Sequence, residues 1–175
     1  MFTRTLGRSG LVVSALGLGC WTIGGAAWRG ERANGWAGVD DADSIKAIHR
    51  ALDLGLTFFD TADVYGAGHS ETVVGQALAG KWDQVVLATK FGNCFVPATK
   101  QIGGEDASPD YIRRACEASL QRLGAPRIDL YQLHLPTLER EAAIAARETL
   151  EELVRQGKIR WYGWSTDSPD NARLF

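Results

Sequence analysis

Apolar residues in this chain gather into short runs, separated by longer stretches in which they recur every three or four positions. The runs cover residues 14–19, 56–60, 84–90, 128–134 and 159–165, and they read as strands. The helical period covers 41–54, 70–78, 109–123 and 139–156. Such alternation implies βα units and a parallel sheet. Local chemistry sets the helix limits. Asp40 and Asp41 can accept from free N–H groups at the first helix start, and Gly55 suits the left-handed residue that ends it. Ile45, Ile48 and Leu52 share one face of that helix, with Ala51 beside them. Ser108 is an N-cap followed by proline at the first helical position, and Leu120 and Leu123 close an apolar face before Gly124. In the last of these helices Leu150, Leu153 and Val154 point inward before Gly157.

Ahead of the first strand, residues 3–6 and 11–13 flank Gly7-Arg8-Ser9-Gly10, a hairpin of the sort that plugs one end of a barrel. Residues 21–39 form a Gly- and Trp-rich loop, longer than a simple connection needs. Spacing then chooses the architecture. A unit takes about 34 residues, so eight would take about 270, near the roughly 250 of a TIM barrel. A five-stranded flavodoxin-like fold would fit 175 residues directly. Against it, the first strand enters a long loop and not a tight phosphate-binding turn. Gly17 and Gly19 lack the later glycine of the Rossmann spacing, and there is no GxxxxGK[ST]. The expected fold is therefore α/β of the (β/α)8 type, with residues 1–175 a single domain. It would hold a hairpin, about five parallel strands and four helices of an incomplete barrel. Asn171-Ala172-Arg173-Leu174-Phe175 reads as a fifth helix cut off soon after its start.

A net charge of −2 gives no basic surface for nucleic acid or an anionic membrane. Cys20, Cys94 and Cys116 are widely spaced and odd in number, which indicates neither a metal site nor a disulfide framework. Free thiols fit a reducing, cytoplasmic compartment. Arg4 and Arg8 precede an apolar run, but Ser9-Gly10, Ser14 and Gly17-Leu18-Gly19 interrupt it, unlike a leader. No segment approaches the roughly 20 apolar residues of a membrane span.

The chemistry lies at the strand ends. Three successive apolar runs end in an ionisable residue, Asp60, Lys90 and His134, and another ends in Ser165-Thr166. Parallel neighbours lie about 4.8 Å apart, so these ends form a row on one rim, the rim that carries the active site in barrels. An Asp and a Lys on adjacent strands can pair and stay charged in a partly buried place. Tyr65 lies five residues past Asp60, close enough for a short loop to bring its hydroxyl back over the rim. An ammonium beside a phenol stabilises the phenolate, which makes the phenol a better proton donor. A neutral His134 could orient the same carbonyl oxygen.

These residues resemble the aldo-keto reductase family. Asp60-Thr61-Ala62-Asp63-Val64-Tyr65-Gly66 with Ser70-Glu71 and Gly75 is similar to the family's stretch bearing the catalytic Asp and Tyr. Ala88-Thr89-Lys90 resembles its Lys strand, and Asp129 through Pro136 its His strand. Residues 6–21 and 154–160 fit as well, so the resemblance runs along essentially the whole chain. It implies reduction of small-molecule aldehydes or ketones with NADPH, leaving NADPH against NADH open, and no metal. Tyr65 would be the general acid, Lys90 the cation stabilising its phenolate, Asp60 the counter-charge and His134 the orienting group. Cys20, Trp21, Asp60, Ser165 and Thr166 stand where the family contacts the cofactor. Thr166 departs from the usual Asn, since a hydroxyl cannot offer both the donor and the acceptor of an amide. The last three strands of the family, with the loops that grip the adenosine and pyrophosphate, lie outside these residues. The resemblance therefore also implies self-association or pairing with a C-terminal half.

Two other functions compete. A barrel aldolase would use Lys90 as a Schiff-base nucleophile. An incompetent half-barrel would serve as a binding or regulatory module, a role some proteins of this fold take. His49 and His69 read as packing or surface residues, Trp82 as packing, and the Glu residues of 139–152 as a solvated helix face. Trp28 and Trp36 are candidates for a substrate pocket. Of the opposed pair Trp161 and Trp164, Trp164 is the expected neighbour of the nicotinamide.

Overall fold

Every unit read from the sequence is present in the computed structural model, which describes residues 1–175. The chain opens with β1 (Thr3–Thr5), β2 (Val12–Ser14), β3 (Gly17–Gly19), β4 (Ala27–Arg29) and β5 (Arg32–Asn34). Next come α1 (Asp41–Asp53), β6 (Phe58–Asp60), α2 (His69–Leu78), β7 (Val86–Phe91), β8 (Asn93–Val96) and β9 (Gln101–Glu105). The rest is α3 (Pro109–Leu123), β10 (Ile128–Leu133), α4 (Arg140–Arg155), β11 (Ile159–Trp164) and α5 (Pro169–Ala172). Strands β3, β6, β7, β10 and β11 lie side by side in chain order, every pair parallel. That is the winding of a (β/α)8 barrel, here with five strands. β3 and β11 each carry one neighbour. No helix is long and apolar enough to cross a membrane.

Alternation along each strand divides the two faces of the sheet. Phe59, Leu87, Phe91, Tyr131 and Leu133 are wholly buried in one cluster with Ile48 of α1, Leu78 of α2, Ile112 of α3 and Leu150 of α4. Each such side chain contributes about 1.5–3 kcal/mol by leaving water. The intervening residues Phe58, Val86, Ala88 and Lys90 point to the other face. Its lower end is plugged by the β1–β2 hairpin, whose Leu11 and Val13 pack on Val86 and Phe58. Ser14 and Thr57 latch that plug, each backbone N–H donating to the other's hydroxyl at 2.9 Å.

Helix ends follow the caps read from sequence. Asp40 accepts from the Asp43 N–H at 2.9 Å, Ser108 caps α3, and Gly124 closes it in the left-handed region. Glu71, wholly buried, ties α2 to both neighbours. Thr89 of β7 donates to it at 2.6 Å and Arg122 of α3 at 2.7 Å. His49 bonds the Ala77 carbonyl and His69 bonds Asp41, the packing and surface roles expected of them.

Two stretches depart from the sequence reading. Residues 21–39 are not a bare loop: a 3-10 turn at Thr22–Gly24 leads into the β4–β5 hairpin. Residues 93–105, which carry no strand period, form the β8–β9 hairpin. The two hairpins join through Trp28 and Gln101 into a four-stranded sheet. Partners that far apart, one of them in the glycine-broken run Gln101-Ile102-Gly103-Gly104-Glu105, leave no local pattern.

Gly75 tests the helix crossing. A Cβ there would strike the Leu123 carbonyl, with the Arg122 carbonyl oxygen 2.9 Å away. Helix propensity alone makes Gly75→Ala stabilising by about 1 kcal/mol. The crossing makes it destabilising by about 1–3 kcal/mol instead, read as a lowered urea midpoint at unchanged slope. An unchanged or raised midpoint would contradict the close packing of α2 on α3.

Candidate active site

Asp60 ends β6 opposite Ala88 in register, so Lys90 lies two positions farther along β7. His134 follows β10, its N–H donating to the Phe91 carbonyl at 2.7 Å, and Ser165 follows β11, donating to Leu133 at 2.9 Å. These residues share the carboxyl-end rim. Tyr65 arrives from the turn after β6, and that turn is held from several sides. Thr61 bonds Ser70 at 2.9 Å, Ser70 donates to the Cys20 carbonyl at 2.7 Å, and the Asp63 N–H donates to the Lys90 carbonyl at 3.1 Å. Gly24 lies against the turn's backbone so closely that a Cβ there would sit 2.7 Å from the Tyr65 carbonyl carbon. Gly66 completes the contact at a φ of 61°. The Tyr65 backbone therefore has little room to move.

Lys90 is 5% exposed. Its ammonium donates to Asp60 at 2.5 Å, to the Thr61 carbonyl at 2.9 Å and to the Tyr65 hydroxyl at 3.2 Å. An ammonium has three hydrogens and no acceptor, and here each hydrogen has a partner. The nitrogen also lies 4.9 Å from the centroid of the Tyr65 ring. Because the Tyr65 oxygen accepts from Lys90, its own hydrogen must point elsewhere. The protein offers it no other partner, so it is free to face the pocket.

His134 stands across that pocket, its ring 5.8 Å from Tyr65 at 84°. Burial, with the nearby Lys90 charge adding to it, pushes its pKa down to about 4. Its Nδ1 is buried without a partner, and Nε2 is the nitrogen left accessible. The ring is thus neutral near pH 7.

The cavity between these groups measures about 1020 Å³ and includes Trp21, Tyr65, His134, Ser165 and Thr166 in its lining. Trp21 lies 6.1 Å from Tyr65 and meets Trp36 edge to face at 4.4 Å. The Ser165 hydroxyl has no partner in the protein, whereas the Thr166 hydroxyl accepts from the Ser168 N–H at 3.1 Å. Cys20 does not reach the cavity. It is wholly buried in the main core, and burial, with Asp60 adding, pushes its thiol up to about 12.

The tryptophans sort differently from expectation. Trp164 does not border the pocket: it is buried among the helices and donates to the Leu135 carbonyl at 2.8 Å. Its strand parity sends it outward, while Trp161 shares the face of Ser165. Trp28 stands outside the main pocket, and Trp36 touches it only through Trp21. Missed altogether were Arg29 and Asn93, both in the lining. Asn93 lies three residues past Lys90, and Arg29 falls inside the loop already marked as too long, but only the hairpin pairing brings them together.

A sequence model described as the aldo/keto reductase family matches residues 15–174. An uncharacterized oxidoreductase of Bacillus subtilis, YqkF, is 36% identical over 174 residues, covering 97% of this chain and 50% of its own length. A probable aldo-keto reductase of Glycine max is 38% identical, covering 96% of this chain and 46% of its own. The chain therefore spans about half the length of these curated relatives. Among solved structures, the holo form of an aldo-keto reductase from Bacillus halodurans superposes with a TM-score of 0.83 at 37% identity, covering 97% of this chain and 52% of that one. An aldo/keto reductase from Klebsiella pneumoniae, solved in complex with NADP and acetate, gives 0.71 at 32%, covering 94% and 50%. With one pattern running through nearly its whole length and the same fold beneath it, this chain belongs to the aldo/keto reductase family.

Proposed function

We propose that this protein reduces the carbonyl group of a small aldehyde or ketone with NADPH, and that Tyr65 is the proton donor. The observation that carries this is the ammonium of Lys90, whose third hydrogen is spent on the Tyr65 oxygen and so leaves the phenolic hydrogen for a substrate. The family membership and the Klebsiella relative's complex with NADP support the cofactor.

The residues present fit a nicotinamide. Ser165 offers a free hydroxyl for a carboxamide, Trp21 an aromatic wall, and Thr166 a second hydroxyl already engaged locally. When bound, the cofactor supplies the hydride. Tyr65 donates its proton to the carbonyl oxygen as negative charge develops there. The phenolate left behind faces the Lys90 ammonium, and Asp60 offsets that cation when the phenol is neutral. A neutral His134 can donate a hydrogen bond from Nε2 to the same oxygen, which orients the carbonyl without adding a second positive charge. Asp60 also accepts from Lys90 at the shortest distance in the group, which keeps the ammonium aimed at Tyr65.

Schiff-base chemistry at Lys90 needs an amine with a free lone pair. A nitrogen that donates three hydrogen bonds has none to offer, so the aldolase reading is the weaker one. We further take residues 1–175 as a single domain whose two open sheet edges, β3 and β11, are where self-association or a further polypeptide completes the barrel.

Removing the proton donor should leave little activity. Tyr65→Phe should lower aldehyde-dependent NADPH oxidation by at least about 100-fold; a variant keeping a tenth of wild-type turnover would sink the assignment. His134 gives a pH test. Its folded pKa lies below the unfolded value of 6.5, so between pH 6.5 and about 4 the unfolded chain binds a proton that the folded chain does not. Stability is thus lost as pH falls through that window. In NMR the His134 ring should titrate with a midpoint near pH 4, and a midpoint near 6.5 would contradict a buried neutral imidazole.

A further inference from the structure

Arg29 ends β4 and lines the same cavity as Tyr65 and His134. One guanidinium nitrogen donates to the Asn93 side-chain oxygen at 3.1 Å. Arg29 takes part in none of the chain's ion pairs. Of its five N–H donors, then, one is committed and the cation has no counter-charge. Asn93 is a firm anchor, at 8% exposure. Its amide donates to the His134 carbonyl at 2.9 Å, and its own carbonyl accepts from the Tyr111 hydroxyl at 3.1 Å. The chain of bonds Arg29–Asn93–His134 therefore ties a planar, forked cation to the residue facing the reacting carbonyl. Trp21 lines the cavity beside Arg29 and supplies an apolar wall, backed by Trp36 from the adjoining cleft that Arg29 also borders. Glu105 and Asp167 share the cavity lining. Both are exposed, as Arg29 itself is, and neither is bonded to it, so water and salt screen these charges from one another.

We propose that Arg29, held by Asn93, sets the specificity of this cavity for carbonyl compounds that carry a carboxylate at the end remote from the reacting carbon. The planar fork of a guanidinium matches the two oxygens of a carboxylate, and Trp21, 6.1 Å from Tyr65, accommodates an apolar body between the two ends. The inference rests on reading the cavity as that of a carbonyl reductase.

The test is a fluorescence titration without cofactor, in which Trp21 in the cavity wall reports occupancy. 4-Carboxybenzaldehyde should bind at least about tenfold more tightly than its uncharged amide counterpart, 4-carbamoylbenzaldehyde. Arg29→Met should erase that preference, Arg29→Lys should keep part of it, and added salt should shrink it. Equal affinities in the unmodified protein, no measurable binding of either aldehyde, or a preference that survives Arg29→Met would each overturn the proposal. Adding NADPH to the same mixtures separates the two readings. A carboxylate preference in binding with no NADPH oxidation keeps the anion site and removes the reductase.

Discussion

An ammonium taken out of water loses hydration that only good acceptors replace, at an effective cost of several kcal/mol per ion. Lys90 is such a group, and much of the rim is arranged around it. Its acceptors come from the end of β6, from the backbone just after it, and from a turn four residues farther on. Removing one partner would strand a buried charge, a loss of about 3–5 kcal/mol in comparable sites. The same requirement fixes the chemistry. A phenol oxygen recruited to solvate the cation cannot also donate to it, and so its hydrogen is left for another acceptor.

Around this centre the molecule uses backbone contact where side chains would be too soft. Gly24 and Gly66 let the turn bearing Tyr65 rest directly on the 3-10 turn after β3. Glu71 locks the first turn of α2 to β7 and α3, one residue beyond the Ser70 hydroxyl that closes the Tyr65 loop. The sheet of β4, β5, β8 and β9 then forms one wall of the cavity, and Asn93 joins that wall to His134. Position is thus transmitted from rigid elements to Tyr65, Lys90 and His134.

Much of this was legible in the sequence, because the βα repeat and the polar strand ends are local signals. Asp60, Lys90, His134 and Tyr65 are brought together as their positions implied, and the hairpin that plugs the sheet was visible as two runs about Gly7-Arg8-Ser9-Gly10. What could not be read depends on partners distant in sequence. The pairing of Trp28 with Gln101 makes the rim sheet, and no period marks either strand. Position alone puts Cys20 beside a cofactor, whereas packing turns its side chain into the core. The side taken by Trp164 depends on register with β10, where it stands opposite the outward-facing Leu133.

The proposed reaction moves hydride from bound NADPH to a carbonyl carbon while Tyr65 supplies the proton. The decisive experiment supplies the protein with NADPH deuterated at the transferring carbon, together with an aldehyde, and analyses the product by mass spectrometry. The expected product is an alcohol carrying one deuterium on the former carbonyl carbon. Unlabelled product, or recovery of the aldehyde as a borohydride-trapped adduct on Lys90, would contradict that reaction.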